Sequence, residues 1–245
     1  MYQFYTTPDN IEEHQATIIG PDVNHIRNVL RMKPGEAVRI ADGLGACYEG
    51  EIGEISSDQV IVRLMGNRVE STELPVRVTL FQGLPKSDKM ELIIQKNTEL
   101  GVSGIVPVAT SRAVVKLDEK KADGKVKRWN GIAEAAAKQS KRTLIPEVCP
   151  VISFKKALAE AEKYDVKLMP YENAEGMAFT RRCIGEIWPG ATVAVFIGPE
   201  GGFSEEEVEA ASAVGFVPIT LGRRILRTET AGMCVLSMLG YVLEP

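Results

Sequence analysis

The chain has 245 residues with 44% hydrophobic and 25% charged content, which suits one large or two modest globular domains, and it has no run near the roughly 18 apolar residues of a membrane span. Cys47, Cys149, Cys183 and Cys234 are scattered without a CxxC pair, and His14 and His25 are the only histidines, so neither a disulfide scaffold nor a zinc or other metal site is expected. The net charge of −4 gives no general affinity for nucleic acid, so any such role must come from how the charge is distributed.

The first residues, MYQFYTTPDN, lack a basic region followed by an apolar stretch, so no secretory signal is expected. With scattered cysteines this points to the reducing cytoplasm. The first 70 or so residues read mostly as strands. His25–Arg31 is a short helical pattern ended by Pro34-Gly35. Ala37–Ala41, Cys47–Ile55 and Gln59–Met65 read as strands, set off by turns at Asp42-Gly43 and Ser56–Asp58. Short strands this closely spaced suggest a small barrel. Gly66–Pro75 is polar and poorly periodic, which places a boundary between a domain over residues 1–70 and another over 71–245.

The second domain alternates strand and helix. Val76–Gly83 is a strand, and Ser87–Leu100 a helix with apolar Met90, Ile93, Ile94 and Leu100, stopped by Gly101. Ile105–Val108 is a buried strand. Val126–Lys141 is a helix with Trp129, Ile132, Ala133 and Ala136 on its apolar side. The helix Phe154–Lys163 and the strand Val166–Met169 follow. Thr192–Ile197 is almost wholly apolar and reads as a central strand of a parallel sheet. Ser204 and Glu207 form a capping box for the helix Glu205–Val214. Val217–Leu221 is a strand, and Thr228–Val242 a helix whose apolar positions exceed a single stripe. The alternation predicts an α/β domain with a mostly parallel sheet.

Two loops carry the chemistry. Gly198-Pro199-Glu200-Gly201-Gly202-Phe203 leaves one predicted strand, and Gly222-Arg223-Arg224-Ile225-Leu226-Arg227-Thr228-Glu229-Thr230-Ala231-Gly232 leaves the next. Both lie at carboxyl ends of parallel strands, where open α/β sheets bind ligands. The first loop lacks the Lys-Ser/Thr of a P-loop and has no GxGxxG spacing, and Glu200 would repel phosphate. A cationic sulfonium cofactor with an adenine suits close glycine backbone, apolar neighbours and a carboxylate better. An ordinary tight turn accounts for a lone GPEGG equally well. In the second loop, Thr228 or Thr230 can cap the helix and Glu229 favours its N-terminus, but capping leaves three arginines unexplained; arginines are usual where an anion or a phosphodiester is held.

Basic residues concentrate between Ser111 and Pro146: Arg112, Lys116, Lys120, Lys121, Lys125, Lys127, Arg128, Lys138, Lys141 and Arg142, against only Asp118, Glu119, Asp123 and Glu134. A solvated helical face is the ordinary reading of such a run; set beside the glycine-rich loop, this run and the cluster Arg223, Arg224 and Arg227 also suit an RNA surface.

GPEGGFSEEE followed by LGRRILRTETAG resembles the RsmE family of 16S rRNA uridine-N3 methyltransferases, of the SPOUT class. NHIRNVLRMKPGE, KSDKMELIIQKNTELGVSGIVPVATSR and EAAAKQSKRTLIPEV extend the resemblance over nearly the whole chain. One departure is Arg223, where the family commonly has a small or apolar residue. The resemblance implies an N-terminal PUA-like β-barrel that helps hold RNA and a SPOUT-type, trefoil-knotted α/β domain. It implies S-adenosyl-L-methionine as cofactor, held by Met169, Tyr171 and Glu172, by Ile197, Gly198, Pro199, Glu200, Gly201 and Gly202, and by Leu221, Gly222, Ile225, Leu226, Thr228, Thr230 and Ala231. It also implies a homodimer. The substrate would be a uridine of 16S rRNA, free or within the assembled small ribosomal subunit.

Methylation at N3 requires loss of the imino proton and stabilisation of charge on the uracil. Arg227 is the candidate for the charge and Glu229 for the proton. Arg31, Arg112, Lys138, Arg142, Arg223 and Arg224 are the candidates for holding RNA. The alternatives are a non-catalytic RNA-binding protein, a nucleotide-dependent enzyme, and a methyltransferase acting on tRNA or a ribose hydroxyl.

Overall fold

A computed structural model describes residues 1–113 and 119–244; Lys116 and Asp118 lie outside the described residues, as do the side chains of Glu119, Lys120 and Lys121. The chain divides into two units, Met1–Glu73 with Ala137–Ile145, and Leu74–Ala136 with the chain from Pro146 onward.

In the first unit, β1 (Tyr2–Tyr5) is followed by a 3-10 turn, β2 (Gln15–Ile19), and α1 (Pro21–Asn24), which runs into a single π turn over His25–Val29. Strands β3 (Ala37–Ala41), β4 (Cys47–Ile55) and β5 (Gln59–Arg68) complete a sheet of order β1-β3-β4-β5-β2. Alternate residues face inward, as the period of a strand requires: Val38 and Ile40, Val60 and Val62, Ala16 and Ile18 are fully buried. Its edges meet where the Thr6 hydroxyl donates to the Thr17 carbonyl at 2.6 Å, so the sheet curls on itself. β1 and β2 were not individually expected from the sequence.

The second unit begins with β6 (Arg77–Gly83), α2 (Lys89–Glu99), β7 (Gly104–Ala109) and α3 (Glu119–Gln139), whose last residues, from Ala137, belong to the first unit. Two-residue strands β8 (Glu147–Val148) and β9 (Ile152–Ser153) lead to α4 (Phe154–Ala161), β10 (Val166–Pro170) and α5 (Met177–Gly185). Then come β11 (Thr192–Ile197), α6 (Glu205–Ala213), β12 (Val217–Ile219) and α7 (Thr228–Leu243). The sheet is parallel, in the order β12-β10-β11-β6-β7-β8, with β9 also on β7.

Strand β11 is central and buried from Val193 to Ile197, because both faces of the sheet are covered. One face carries Leu80, Val195, Ile93, Val235 and Leu239, which join α2 and α7 to the sheet. The other carries Phe81, Phe196, Phe203 and Phe216 with Ala157 of α4 and Ala211 of α6. Phe196 lies 5.0 Å from Phe203 between ring centroids, edge to face, so the loop after β11 is anchored in that core. β12 lies outside β10, yet α7 begins beside the ends of β11 and β6. The connection from Thr220 to Arg227 therefore crosses the carboxyl ends of the sheet.

Candidate functional site

Loops from three neighbouring parallel strands close one cleft of about 720 Å³. Its walls are Pro170–Asn173 after β10, Ile197–Phe203 after β11 and Thr220–Thr228 after β12, with Arg112, Glu205 and Ala231. All the expected cofactor residues line it except two. Met169 is fully buried in the sheet's second core, and Thr230 is exposed on α7 outside the cleft. Of the arginines, Arg112, Arg223, Arg224 and Arg227 line the cleft.

The loops are held by contacts that their own sequences do not announce. Gln82, at the end of β6, is fully buried; its Nε2 donates to Thr228 Oγ1 and to the Gly83 carbonyl, both at 2.9 Å. Thr228 Oγ1 in turn donates to the Gly198 carbonyl at 2.6 Å. A Cβ on Gly83 would lie 2.6 Å from Pro199 Cδ and 2.8 Å from Pro199 N, so the loop can approach β6 only because residue 83 has no side chain. Thr180 of α5 accepts from Thr220 N at 3.1 Å and donates to Thr220 O at 3.0 Å, fixing the start of the third loop. The signals for Gln82-Gly83 were an amide and a glycine closing an apolar strand. Nothing in the sequence around Thr180 marks its role.

The expected capping box is present. Ser204 Oγ accepts from Glu207 N, and Glu207 Oε2 accepts from Ser204 N. Glu207 does more, since its Oε1 accepts from Ser111 N at 2.7 Å. That contact brings the next residue, Arg112, over the glycine loop, where its Nη1 donates to Gly201 O at 3.1 Å. Arg112 is thus a wall of the cleft.

Glu200 turns its carboxylate to α2. It accepts from Lys86 N at 3.1 Å and lies 3.0 Å from Lys89 Nζ. Burial pushes the Glu200 carboxyl up, but the Lys89 ammonium and the backbone N–H groups outweigh it and hold the group below the usual carboxylate range. Lys89 is raised, chiefly by its hydrogen bond to Glu200. Glu229 Oε2 lies 3.4 Å from the same ammonium, and Glu229 is not among the cleft residues. Glu229, expected to take a proton from substrate, sits in the first turn of α7 and faces α2. Arg227 is different. Its carbonyl accepts from Thr230 N and Ala231 N at the start of α7, which fixes the backbone, and Arg227 is one of the residues lining the cleft.

The expected RNA contacts divide. Arg223 and Arg224 are exposed beside the cleft, and Arg31, with φ +54, is exposed in the first unit. Lys138 keeps 36% side-chain exposure, but it lies 3.5 Å from Asp22 and over the Tyr5 ring. Arg142 must be corrected. It is 3% exposed, and its guanidinium binds Glu73, with Nε at 3.0 Å from Oε2. Glu73 Oε1 also accepts from Thr143 N and Leu144 N at 2.9 and 3.1 Å. A charge committed in this way is not presented to a phosphate. Arg128 is paired with Glu91 at 2.8 Å, so part of the basic stretch is internally neutralised. Among the described residues no group of three or more His, Cys, Asp or Glu is placed to hold a metal, and no helix is long and apolar enough to cross a membrane.

Comparisons with known proteins agree with this architecture. The RNA methyltransferase domain family matches residues 72–240, and the RNA methyltransferase PUA domain matches residues 18–65. The ribosomal RNA small subunit methyltransferase E of Bacillus subtilis is 39% identical, covering 99% of this chain and 96% of its own length. The crystal structure of the corresponding Neisseria gonorrhoeae protein, bound to S-adenosylmethionine, superposes with a TM-score of 0.81 at 31% identity, covering 99% of this chain and 98% of that one. A Legionella pneumophila methyltransferase, solved with S-adenosylmethionine, gives a TM-score of 0.77 at 33% identity, covering 98% and 96%. The expected fold class, a SPOUT-type α/β domain with an N-terminal PUA-like barrel, is the one found. With its parallel sheet, its three converging loops and its whole length matched, the chain belongs to the RsmE family of small-subunit ribosomal RNA methyltransferases.

Proposed function

We infer that this chain methylates N3 of a uridine in 16S rRNA with S-adenosylmethionine as methyl donor. The observation that carries the reading is the cleft, where three loops meet at the carboxyl ends of adjacent parallel strands. Its volume is in the range of small-molecule sites. Tyr171, Ile197, Leu221, Ile225 and Leu226 offer apolar surface for an adenine, and the main chain of Gly198–Gly202 and Leu221–Leu226 offers donors and acceptors for its edge. When bound, the cofactor supplies an electrophilic methyl group on its sulfonium. The chain's own task is to present the base and hold its charge. Uracil N3 is a poor nucleophile until its proton leaves to solvent, and Arg227 then holds the negative charge spread over O2 and O4 until the methyl group bonds to N3. Arg223 and Arg224, exposed beside Arg227, hold the flanking phosphates, and the target uridine enters unstacked.

A homodimer in the cytoplasm completes the reading. The last turns of α7 expose Tyr241, at 91%, and Val242, and Met233 nearer its start is half-buried, apolar side chains that a second copy of the chain would cover. Mass spectrometry of 16S rRNA from cells lacking this chain should reveal one lost N3-methyluridine. Purified protein should restore it, and comparing free 16S rRNA, assembled small subunits and tRNA as acceptors would identify the substrate. Restoration on tRNA alone would overturn the assignment.

A further inference from the structure

We propose that Lys89 is a positioning residue for methyl transfer, a cation that latches the Gly198–Gly202 loop to the start of α7. The inference rests on the methyltransferase reading of the cleft. Lys89 Nζ lies 3.0 Å from Glu200 Oε1 and 3.4 Å from Glu229 Oε2, the latter an ion pair in which the buried Oε2 makes no hydrogen bond among the described residues. Glu200 belongs to the loop after β11, and Glu229 to the first turn of the helix that follows the third loop. One ammonium therefore spans both segments that wall the cleft.

Two local features show that this contact is built against the chain's own preferences. Lys89 is the first residue of α2, where the helix dipole disfavours a cation. Ser87, two residues earlier, has φ +56, a conformation that costs energy for a residue with a Cβ. The turn through Ser87 also brings Lys86 N to both Glu200 oxygens, at 3.1 and 3.3 Å. The side chains of Lys89, Glu200 and Glu229 are 32%, 19% and 21% exposed, so solvent only partly screens the arrangement. Lys89 itself does not line the cleft. Its effect on ligand passes through the two loops, with Glu229 as the anchor on α7.

The test is calorimetry with S-adenosylhomocysteine, together with steady-state kinetics and thermal melts, on the full chain and on Lys89→Met, Lys89→Arg and Glu229→Gln. Lys89→Met should weaken binding about tenfold or more, the scale of losing one charge-assisted contact. It should raise KM for the methyl donor and leave KM for RNA within about twofold, and Lys89→Arg should recover most of the loss. Glu229→Gln should weaken binding in the same direction, and the double variant should be no worse than Lys89→Met alone, as expected for one coupled unit. A wild-type protein that takes up no ligand would sink the methyltransferase reading itself. Normal wild-type binding, with Lys89→Met within about twofold of it or with additive single effects, would overturn the latch alone. If Lys89→Met does not fold, Lys89→Arg and Glu229→Gln decide: wild-type affinity in Glu229→Gln overturns the proposal.

Discussion

The Thr228 hydroxyl donates to Gly198 O at 2.6 Å while accepting from Gln82 Nε2 at 2.9 Å, so one side chain joins the ends of β6 and β11 to the start of α7. Gln82 is fully buried, and its Oε1 has no hydrogen-bond partner among the described residues. The amide therefore depends on what Nε2 makes. Thr228→Val keeps the shape and removes both bonds. It should cost roughly 1–3 kcal/mol in urea denaturation and weaken S-adenosylmethionine binding, whereas Thr228→Ser should retain most of both. A valine variant with wild-type stability and affinity would show that the junction is held by packing.

Gly83 and Gly201 make close approaches of different kinds. At Gly83 a Cβ meets ring and backbone atoms of Pro199, which cannot move without the loop. Gly83→Ala should lower cofactor affinity by about tenfold or more, as overpacking of roughly 1–3 kcal/mol implies, with the circular-dichroism spectrum preserved. At Gly201 the neighbour is Arg112 Cβ, at 3.2 Å. Gly201→Val should therefore push Arg112 off the loop as well as narrow the cleft. Calorimetry on Gly201→Val and Arg112→Ala would separate the two effects.

The elements legible in the sequence were those whose cause is local. The unbroken apolar run of β11, the Ser204–Glu207 box and both glycine-bearing loops are where the pattern put them. β2 had a readable alternation, with Ala16 and Ile18 inward, but it is short and lies between polar turns. α5 buries only Thr180 and Ile184, too little to imprint a period. The roles of Gln82, Lys89 and Arg142 depend on partners far along the chain. Glu73 stands 69 residues before Arg142, and no window of sequence shows that the two charges meet.

That pair changes the expected mutational pattern of the basic stretch. Arg142→Ala strands the Glu73 carboxylate in a largely buried position and should cost about 3–5 kcal/mol. Any loss of RNA binding should follow the loss of folded protein. Lys138→Glu should change stability by less than about 1 kcal/mol. If Lys138 meets a phosphate, the same variant should also reduce the salt dependence of RNA binding by close to one ion. Filter binding across salt concentrations, with melts of the same samples, distinguishes the two residues.

Tyr5 gives the first unit an alkaline limit. Its hydroxyl donates to the carbonyls of Arg142 and Ala137, and burial, the largest influence, pushes its pKa up to about 12. The unfolded phenol ionises near pH 10, so between roughly pH 10 and 12 the unfolded state has lost the proton and the folded state still holds it. Stability should therefore fall as pH rises through that window. Tyr5→Phe should be less stable at neutral pH by about 1 kcal/mol, and its stability should decline less steeply above pH 10. Parallel slopes for the two proteins would mean that another group sets the limit.

Arg227 is the residue on which the chemical step can be tested. Its backbone is fixed by the first bonds of α7 and the residue lines the cleft, so loss of its side chain removes charge without removing a loop support of the Thr228 or Lys89 kind. The negative charge on uracil is small in the bound neutral base and largest as the methyl group transfers. Arg227→Ala should therefore lower the single-turnover rate roughly 100- to 1,000-fold, with S-adenosylmethionine affinity within a few-fold of wild type. Arg227→Lys keeps the charge but loses the planar donor fork, and should recover only part of the rate. Raising pH toward the ionisation of free uridine should narrow the gap between Arg227→Ala and wild type, because solvent then supplies the anion that the arginine helps to form. Glu229→Gln gives the contrasting profile. Its defect should lie in donor affinity, and its rate at saturating donor should parallel wild type across pH. If Glu229→Gln instead recovers rate at alkaline pH while binding the donor normally, Glu229 takes the N3 proton, and the geometry around Lys89 must rearrange when RNA is bound.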